Sequence, residues 1–366
     1  MATRPVLLRR ALQTPIRHNV CLLRSPIAAV RANSTSSSSG SNAHNATTHT
    51  QTPEYAIPDP SRPTHFGFET VTEAEKRERV AGVFTSVAES YDRMNDLMSF
   101  GWHRIWKYVV HPLPLSLQVP PPLANKFPRD HFVASLNPGF SPLTSSSDPR
   151  APQHILDIAG GTGDIAFRML HTAHTLNSNP SVRVTISDIN PSMLAVGKQR
   201  STTLPASQQA ALSFVEANAE DLTRTTPLFT TSSPPPTSGI PSSSVDLYTV
   251  AFGIRNFSNI PAALREAHRV LKPGGVFACL EFSKVDKHPL FNTIYKEWSF
   301  RAIPLIGQLV AGDRDSYQYL VESIERFPSQ EEFRDMIVEA GFVVGGQGYE
   351  DLTGGVAAIH KGMKPR

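Results

Sequence analysis

The stretch Ile155-Leu-Asp-Ile-Ala-Gly160-Gly-Thr-Gly-Asp164 decides the fold. A short apolar run enters a glycine-rich turn, and beyond Asp164 the residues Ile165, Met169 and Leu170 recur at helical spacing. That is strand, turn and helix in succession. Glycines let a backbone approach a ligand closely, and a helix start turns free N–H groups toward the same place. Taken alone, Gly161-Thr162-Gly163-Asp164-Ile165-Ala166 also fits the dinucleotide pattern G-x-G-x-x-A, and a tight turn without a ligand would read the same way.

The alternation continues outward from this stretch. Residues 182–187 read as a strand with Val182, Val184 and Ile186 alternating, and Asn190-Pro191 supplies a cap and a first-turn proline for a helix reaching Arg200. Residues 212–216 form a third strand, and 245–252 a fourth that is nearly all apolar, as a strand covered on both faces should be. A helix over 261–271 places Leu264, Ala267 and Leu271 on one side, and the turn Lys272-Pro273-Gly274-Gly275 leads into a strand over 276–282. Ser329 and Glu332 make a capping box for a helix carrying Phe333, Ile337 and Ala340, which Gly341 stops. Two strands, 343–344 and 356–360, close the chain. Regular alternation of this kind predicts an α/β, doubly wound, largely parallel sheet.

Charge and proline are unevenly placed along the 366 residues. Residues 1–53 hold six arginines, no lysine and no acid, so the remaining 29 bases face 32 acids and the net charge of +3 becomes −3. The basic balance is therefore a leader, not a nucleic-acid footprint. An Arg-rich, acid-free start followed by a Ser/Thr/Asn tract reads as an organelle transit peptide. Of 31 prolines, seven precede Thr64, ten lie in 112–152 and five in 227–241, where periodic structure is least evident. The last two tracts read as surface insertions, at about 112–152 and 226–244, in one domain over 66–366. No run approaches the roughly 18 apolar residues of a membrane span. Two cysteines, Cys21 and Cys279, exclude a disulfide framework and a Cys-based zinc site.

The residues after the other strands narrow the ligand. Asp188 ends the second strand 25 residues after Gly163, where a carboxylate accepts both hydroxyls of a ribose. NAD and S-adenosylmethionine both require that acid. Glu216-Ala-Asn218-Ala219-Glu220-Asp221 follows the third strand, where a polar side chain and backbone can meet an adenine edge. Phe252-Gly-Ile-Arg255-Asn256 ends the fourth, where open α/β sheets hold ligands.

With ILDIAGGTGD, the SDINPSML block from Ser187, EANAEDL, FGIRN, HRVLKPGG and LEFSK in this order, the chain resembles class I S-adenosylmethionine methyltransferases. More narrowly it resembles the ubiquinone/menaquinone biosynthesis C-methyltransferase family (UbiE-type). The resemblance extends upstream through the segment around Tyr91 and Asp92 and downstream through that around Tyr317 and Tyr319, about 240 residues in all. It implies a Rossmann-like fold with a mostly parallel seven-stranded sheet and an N-terminal helical cover. Its cofactor pattern falls on Gly160, Gly161, Thr162 and Gly163 in the turn, Asp188 for the ribose, and Asn218 with Ala219 beside the adenine. Many family members carry a serine where this chain has Ala251, so only backbone can serve there. Asp157 can reach the methionine amino group, or can equally be a strand-end carboxylate bonded to backbone amides.

The resemblance further implies methylation of a ring carbon of 2-methoxy-6-polyprenyl-1,4-benzoquinol in ubiquinone synthesis. It implies a mitochondrial protein, peripheral on the matrix side of the inner membrane, within a multi-subunit coenzyme Q synthesis complex and as a possible homodimer. Such a reaction needs a group that favours phenolate and a base for the ring proton. Arg255 is the candidate phenolate partner because its charge is permanent, and Asn256 can orient the hydroxyl. Read structurally, the same pair is a turn held by a salt bridge and an amide bond. Asp92 and Tyr317 are the candidate bases, with Tyr91, His103 and Asp313 in similar segments. For the lipid tail, Phe84, Met94, Leu97, Met98, Phe100, Trp102 and Trp106 form one apolar set; Trp298, Phe300, Ile303, Leu305, Ile306 and Leu309 form an exposed-looking second. The rivals are an NAD-linked oxidoreductase, a non-enzymatic cofactor-binding scaffold, and a methylase of another phenol.

Overall fold

The computed structural model describes residues 60–87, 128–140, 151–228, 239–285, 292–293, 296–311 and 314–366. The order begins with a hairpin, β1 (Pro63–Phe66) and β2 (Glu69–Thr72), then α1 (Glu73–Val87) and α2 (Pro128–Leu136). The alternating part runs β3 (His154–Ile158), α3 (Asp164–His171), β4 (Arg183–Asp188), α4 (Pro191–Ser201), β5 (Leu212–Asn218) and β6 (Asp221–Pro227). It continues with β7 (Val245–Ala251), α5 (Ile260–Val270) and β8 (Leu271–Phe282). The chain closes with α6 (Ile303–Ala311), α7 (Arg314–Arg326), α8 (Gln330–Glu339), β9 (Tyr349–Leu352) and β10 (Ala357–Met363).

The main sheet has eight strands in the order β6-β5-β4-β3-β7-β8-β10-β9. The five strands β5-β4-β3-β7-β8 are mutually parallel, whereas β6 and β10 run antiparallel to their neighbours. Eight strands correct the expected seven. The Asp221–Pro227 edge strand alternates only weakly, with Leu222 and Thr225 inward, and such polar edges carry little hydrophobic signal. Residues 343–344 give a single bridge from Val343 to Met363, and the strand beside β10 is instead Tyr349–Leu352. The expected turn at Lys272–Gly275 is absorbed into β8, with Gly274 N–H donating to the Lys364 carbonyl at 2.8 Å.

Two cores follow from the period of two along each strand. Ile155, Val184, Ile186, Leu247, Ala278 and Leu280 face α3 and α7; Leu156, Ile158, Tyr248, Val250, Phe277 and Cys279 face α5 and α8. The caps read from sequence are present. Asn190 Oδ1 accepts from Ser192 N–H at 2.9 Å, Asn259 Oδ1 from Ala262 N–H at 3.1 Å, and Ser329 with Glu332 closes a capping box.

The tract at 112–152 is more than a surface insertion. Its helix α2 sends Phe132 and Val133 into the core with α3, and the turn after it is pinned by Asn179 Nδ2 donating to the Gly139 carbonyl at 2.8 Å. Within 226–244, Ile240 N–H donates to the Leu222 carbonyl at 2.7 Å, so that end of the tract is tied to β6. In the second apolar set, Ile303 is buried and Trp298 and Phe300 pack on the core, while Leu305 is 56% exposed. Among the described residues no helix is long and apolar enough to cross a membrane.

Candidate active site

The parallel strands reverse their order at β3, which has β4 on one side and β7 on the other. A cleft opens there, beyond the carboxyl ends of β3, β4, β5 and β7, the place where open α/β sheets bind ligands. It encloses about 1140 Å³ including its open mouth, room for a cofactor and an aromatic ring together. Backbone strain gathers at its floor. Ala159 and Phe252, just past β3 and β7, hold φ values of 51° and 57° without being glycine.

The glycine turn is built for close approach. A Cβ on Gly160 would stand 2.8 Å from Ile186 Cγ2 and 3.0 Å from the Asp157 carbonyl oxygen. Gly163 caps α3 at φ 83°, in the left-handed region that glycine adopts without strain. Gly160, Gly161 and Thr162 line the cleft, and the Thr162 hydroxyl accepts from Arg200 Nη1 at 2.7 Å, which ties the turn to α4.

Asp188 faces this turn from β4. One carboxylate oxygen accepts from Gly161 N–H at 3.0 Å and the other from Asn190 N–H at 2.9 Å. Burial pushes its carboxyl up to about 6, against the pull of those backbone bonds. Asp157 lies deeper, its Oδ1 accepting from Thr249 Oγ1 at 2.7 Å while Oδ2 has no partner among the described residues. Burial raises its carboxyl to about 7. A buried carboxylate oxygen without a donor fits the ammonium of an amino-acid moiety.

The third and fourth strand ends complete the wall. Asn218 and Ala219 line the cleft, and Asn218 Oδ1 accepts from Glu220 N–H at 3.0 Å, so that the side chain shapes its own loop. Glu220 Oε1 in turn accepts from Ser258 and Asn259 N–H at 2.6 and 2.9 Å, locking the loops after β5 and β7 together. From the other side α1 contributes Arg77, Val80, Ala81 and Phe84. Asn190 Nδ2 donates to Thr85 Oγ1 at 3.1 Å, fixing that helical cover to the β4 loop.

The candidate catalytic residues fare differently. Asn256 lines the cleft. Arg255, beside it, does not. Its side chain is fully buried, with Nη1 2.7 Å from Glu281 Oε1 and 2.8 Å from the Phe252 carbonyl and Nε 3.3 Å from Ser323 Oγ. Its charge is neutralised inside the fold, so the salt-bridged turn is the correct reading and a direct phenolate contact is not. Tyr317 is also buried away from the cleft, its ring packed against Gly307, because α7 turns that position into the core. Asp92, Tyr91, His103 and Asp313 lie outside the described residues, as do Met94, Leu97, Met98, Phe100, Trp102 and Trp106. Two residues were not anticipated. Arg77 is the one basic side chain lining the cleft among the described residues, and Tyr319 bonds Asn256 from behind. The charged run of α1 carries no cofactor motif, and Tyr319 lies in a segment that the family resemblance covers without attaching a catalytic role to that position.

The sheet departs from the NAD reading. A dinucleotide fold orders its strands 3-2-1-4-5-6, all parallel. Here the last strand, β10, inverts and inserts between β8 and β9. Together with the glycine turn and the Asp188 carboxylate, that reversed strand defines a class I S-adenosylmethionine-dependent methyltransferase. The profile of the ubiE/COQ5 methyltransferase family matches residues 71–118 and 143–364. The chain belongs to that family. It is 47% identical over 305 residues to a mitochondrial 2-methoxy-6-polyprenyl-1,4-benzoquinol methylase of Schizosaccharomyces pombe, covering 83% of this chain and 85% of that protein. A protein of the same name from Oryza sativa is 43% identical, with coverages of 83% and 89%. A ubiquinone/menaquinone biosynthesis C-methyltransferase of Brucella suis is 46% identical, with coverages of 82% and 90%.

Proposed function

We propose that the enzyme methylates a ring carbon of 2-methoxy-6-polyprenyl-1,4-benzoquinol in ubiquinone synthesis. One observation carries this: the chain keeps 43–47% identity with benzoquinol methylases over 83% of its length. S-adenosylmethionine, when bound, supplies an electrophilic methyl group. Gly160, Gly161 and Asp188 would hold its backbone-facing and ribose parts, Asp157 its ammonium, and Asn218 with Ala219 its adenine edge. The chain's own residues then prepare the acceptor. The cleft wall of Val80, Phe84, Met193 and Phe252 excludes water from the ring, and Asn256 offers an amide to a ring oxygen. As the hydroxyl proton leaves, negative charge moves onto the ring carbon. That carbon would take the methyl group as the sulfonium S–CH3 bond breaks and the sulfur leaves as a neutral thioether, and loss of the carbon's hydrogen as a proton would restore the aromatic ring. Asp92 is retained as the proposed proton acceptor.

The Arg-rich residues 1–53 and the mitochondrial relatives support a mitochondrial enzyme, peripheral on the matrix side of the inner membrane. Exposed Phe68 and Leu305, at 51% and 56%, are the apolar contacts offered to that surface. Membership of a coenzyme Q synthesis complex and homodimerisation belong to the same proposal. Quinone profiling of cells lacking the protein tests the reaction. A methoxy-polyprenyl species missing one ring methyl accumulates, and wild type but not Asp188→Ala restores the mature quinone. Normal quinone in the deletion strain would overturn the assignment.

A further inference from the structure

The turn after β7 carries an amide whose orientation is set from outside the cleft. Asn256 is buried at the cleft wall. Its Oδ1 lies 3.0 Å from the Tyr319 hydroxyl, and its Nδ2, equally buried, has no partner among the described residues. Tyr319 comes from α7 and does not line the cleft itself. Its ring stacks on Phe66 of the N-terminal hairpin, with centroids 4.0 Å apart and planes 12° from parallel.

An amide's oxygen and nitrogen exchange places in a half-turn that costs packing almost nothing, so hydrogen bonding decides which end faces where. Asn256 is the one hydrogen-bond partner of the Tyr319 hydroxyl among the described residues. A buried phenol must donate its proton, and only Oδ1 can take it. Burial pushes the phenol pKa upward, which keeps that proton in place. With Oδ1 committed to Tyr319, Nδ2 is left as a desolvated donor at the cleft wall.

The turn has no freedom to relax that donor away. Arg255 is clamped by Glu281 on one side. On the other, Lys76 Nζ donates to the Phe257 carbonyl at 2.7 Å and Thr64 Oγ1 to the Ser258 carbonyl at 3.1 Å.

We propose that Tyr319 is a positioning residue: its hydroxyl fixes the Asn256 carboxamide so that Nδ2 donates to a ring oxygen of the quinol. The inference rests on the quinol reading given above. A hydrogen bond to an ionised oxygen is about twice as strong as one to a neutral oxygen, so the fixed donor favours the phenolate over the phenol and makes the ring carbon more nucleophilic.

Purified full-length enzyme, S-adenosylmethionine and a short-tailed analogue of the unmethylated quinol provide the test. Tyr319→Phe keeps the ring on Phe66 and removes only the hydroxyl. Tyr319→Phe and Asn256→Ala should each lower kcat/KM for the quinol about tenfold, while the Kd for S-adenosylmethionine moves less than about twofold. The double variant should fall no further than Asn256→Ala, within about twofold, because the hydroxyl acts only through the amide. Asn256→Asp, assayed at about pH 9 so that even a buried carboxyl is ionised, keeps an acceptor for Tyr319 but has no donor, and should lose as much as Asn256→Ala.

Quinol turnover by Tyr319→Phe within about twofold of wild type would overturn the proposal, as would multiplicative losses in the double variant. Retained activity in Asn256→Asp would overturn it as well. A loss appearing mainly in S-adenosylmethionine affinity would make the amide a cofactor ligand instead. Failure of the wild type on the quinol refutes the quinol reading; wild-type turnover with an unaffected Tyr319→Phe refutes the positioning role alone.

Discussion

Cofactor affinity should fall in mild acid because of Asp188. Its carboxylate touches two backbone N–H groups, yet burial still lifts its carboxyl to about 6 from 3.8. A raised carboxyl pKa means that the folded apoprotein prefers the protonated acid. The stability this preference contributes is present below about 3.8 and is lost as pH rises through about 6. Cofactor binding has the opposite sign, since two ribose hydroxyls donate to the ionised form. With a pKa of about 6, the ionised fraction falls about tenfold between pH 7 and pH 5, and the Kd for S-adenosylmethionine should rise by about that factor. Asp188→Asn removes the titrating group. It should weaken binding at pH 7 about a hundredfold through two lost charge-assisted bonds, and should remove the tenfold step that Asp188 contributes. Asp157, raised to about 7, titrates nearby, so Asp157→Asn is the control that isolates each acid. Isothermal titration calorimetry at pH 5, 6 and 7 reads all three proteins. An unchanged ratio of the pH 5 and pH 7 Kd values in Asp188→Asn would refute the assignment of this acid to the ribose.

Glu281→Gln leaves the Arg255 guanidinium buried without its counter-charge and should cost about 3–5 kcal/mol in urea unfolding; a loss under about 1 kcal/mol would show that the pair is not closed in solution. Gly160→Ala pushes a methyl group into Ile186 and the Asp157 carbonyl, which should destabilise the fold by about 1–3 kcal/mol and abolish cofactor binding by calorimetry. Wild-type cofactor affinity in that variant would mean the turn does not approach the ligand. Phe132→Ala empties a fully buried site and should cost about 3–5 kcal/mol, whereas a helix resting loosely on the surface would lose almost nothing.

The local chemistry of this protein was legible along the chain. The strand entering Gly160, the Asn190-Pro191 and Ser329–Glu332 helix starts, and the position of Asp188 each depend on neighbours a few residues away, and period and capping rules report such neighbours directly. For the same reason Gly160, Gly161, Thr162, Asp188, Asn218 and Ala219 converge on one cleft. The tertiary structure decided what depends on distant partners. Arg255 reads as a catalytic cation until β8 brings Glu281 to 2.7 Å and takes its charge out of play. Tyr317 and Tyr319 stand two residues apart on α7, yet helical rotation sends one into the core beside Gly307 and the other to Asn256. Phe132 sits in a tract of prolines and serines with no periodic signal, and only the hollow above α3 gives it a place in the core. Sequence pattern records which face a residue takes within its own element. Which charge is neutralised, and which amide is held, is fixed by pairings that close over 26 and 63 residues of chain.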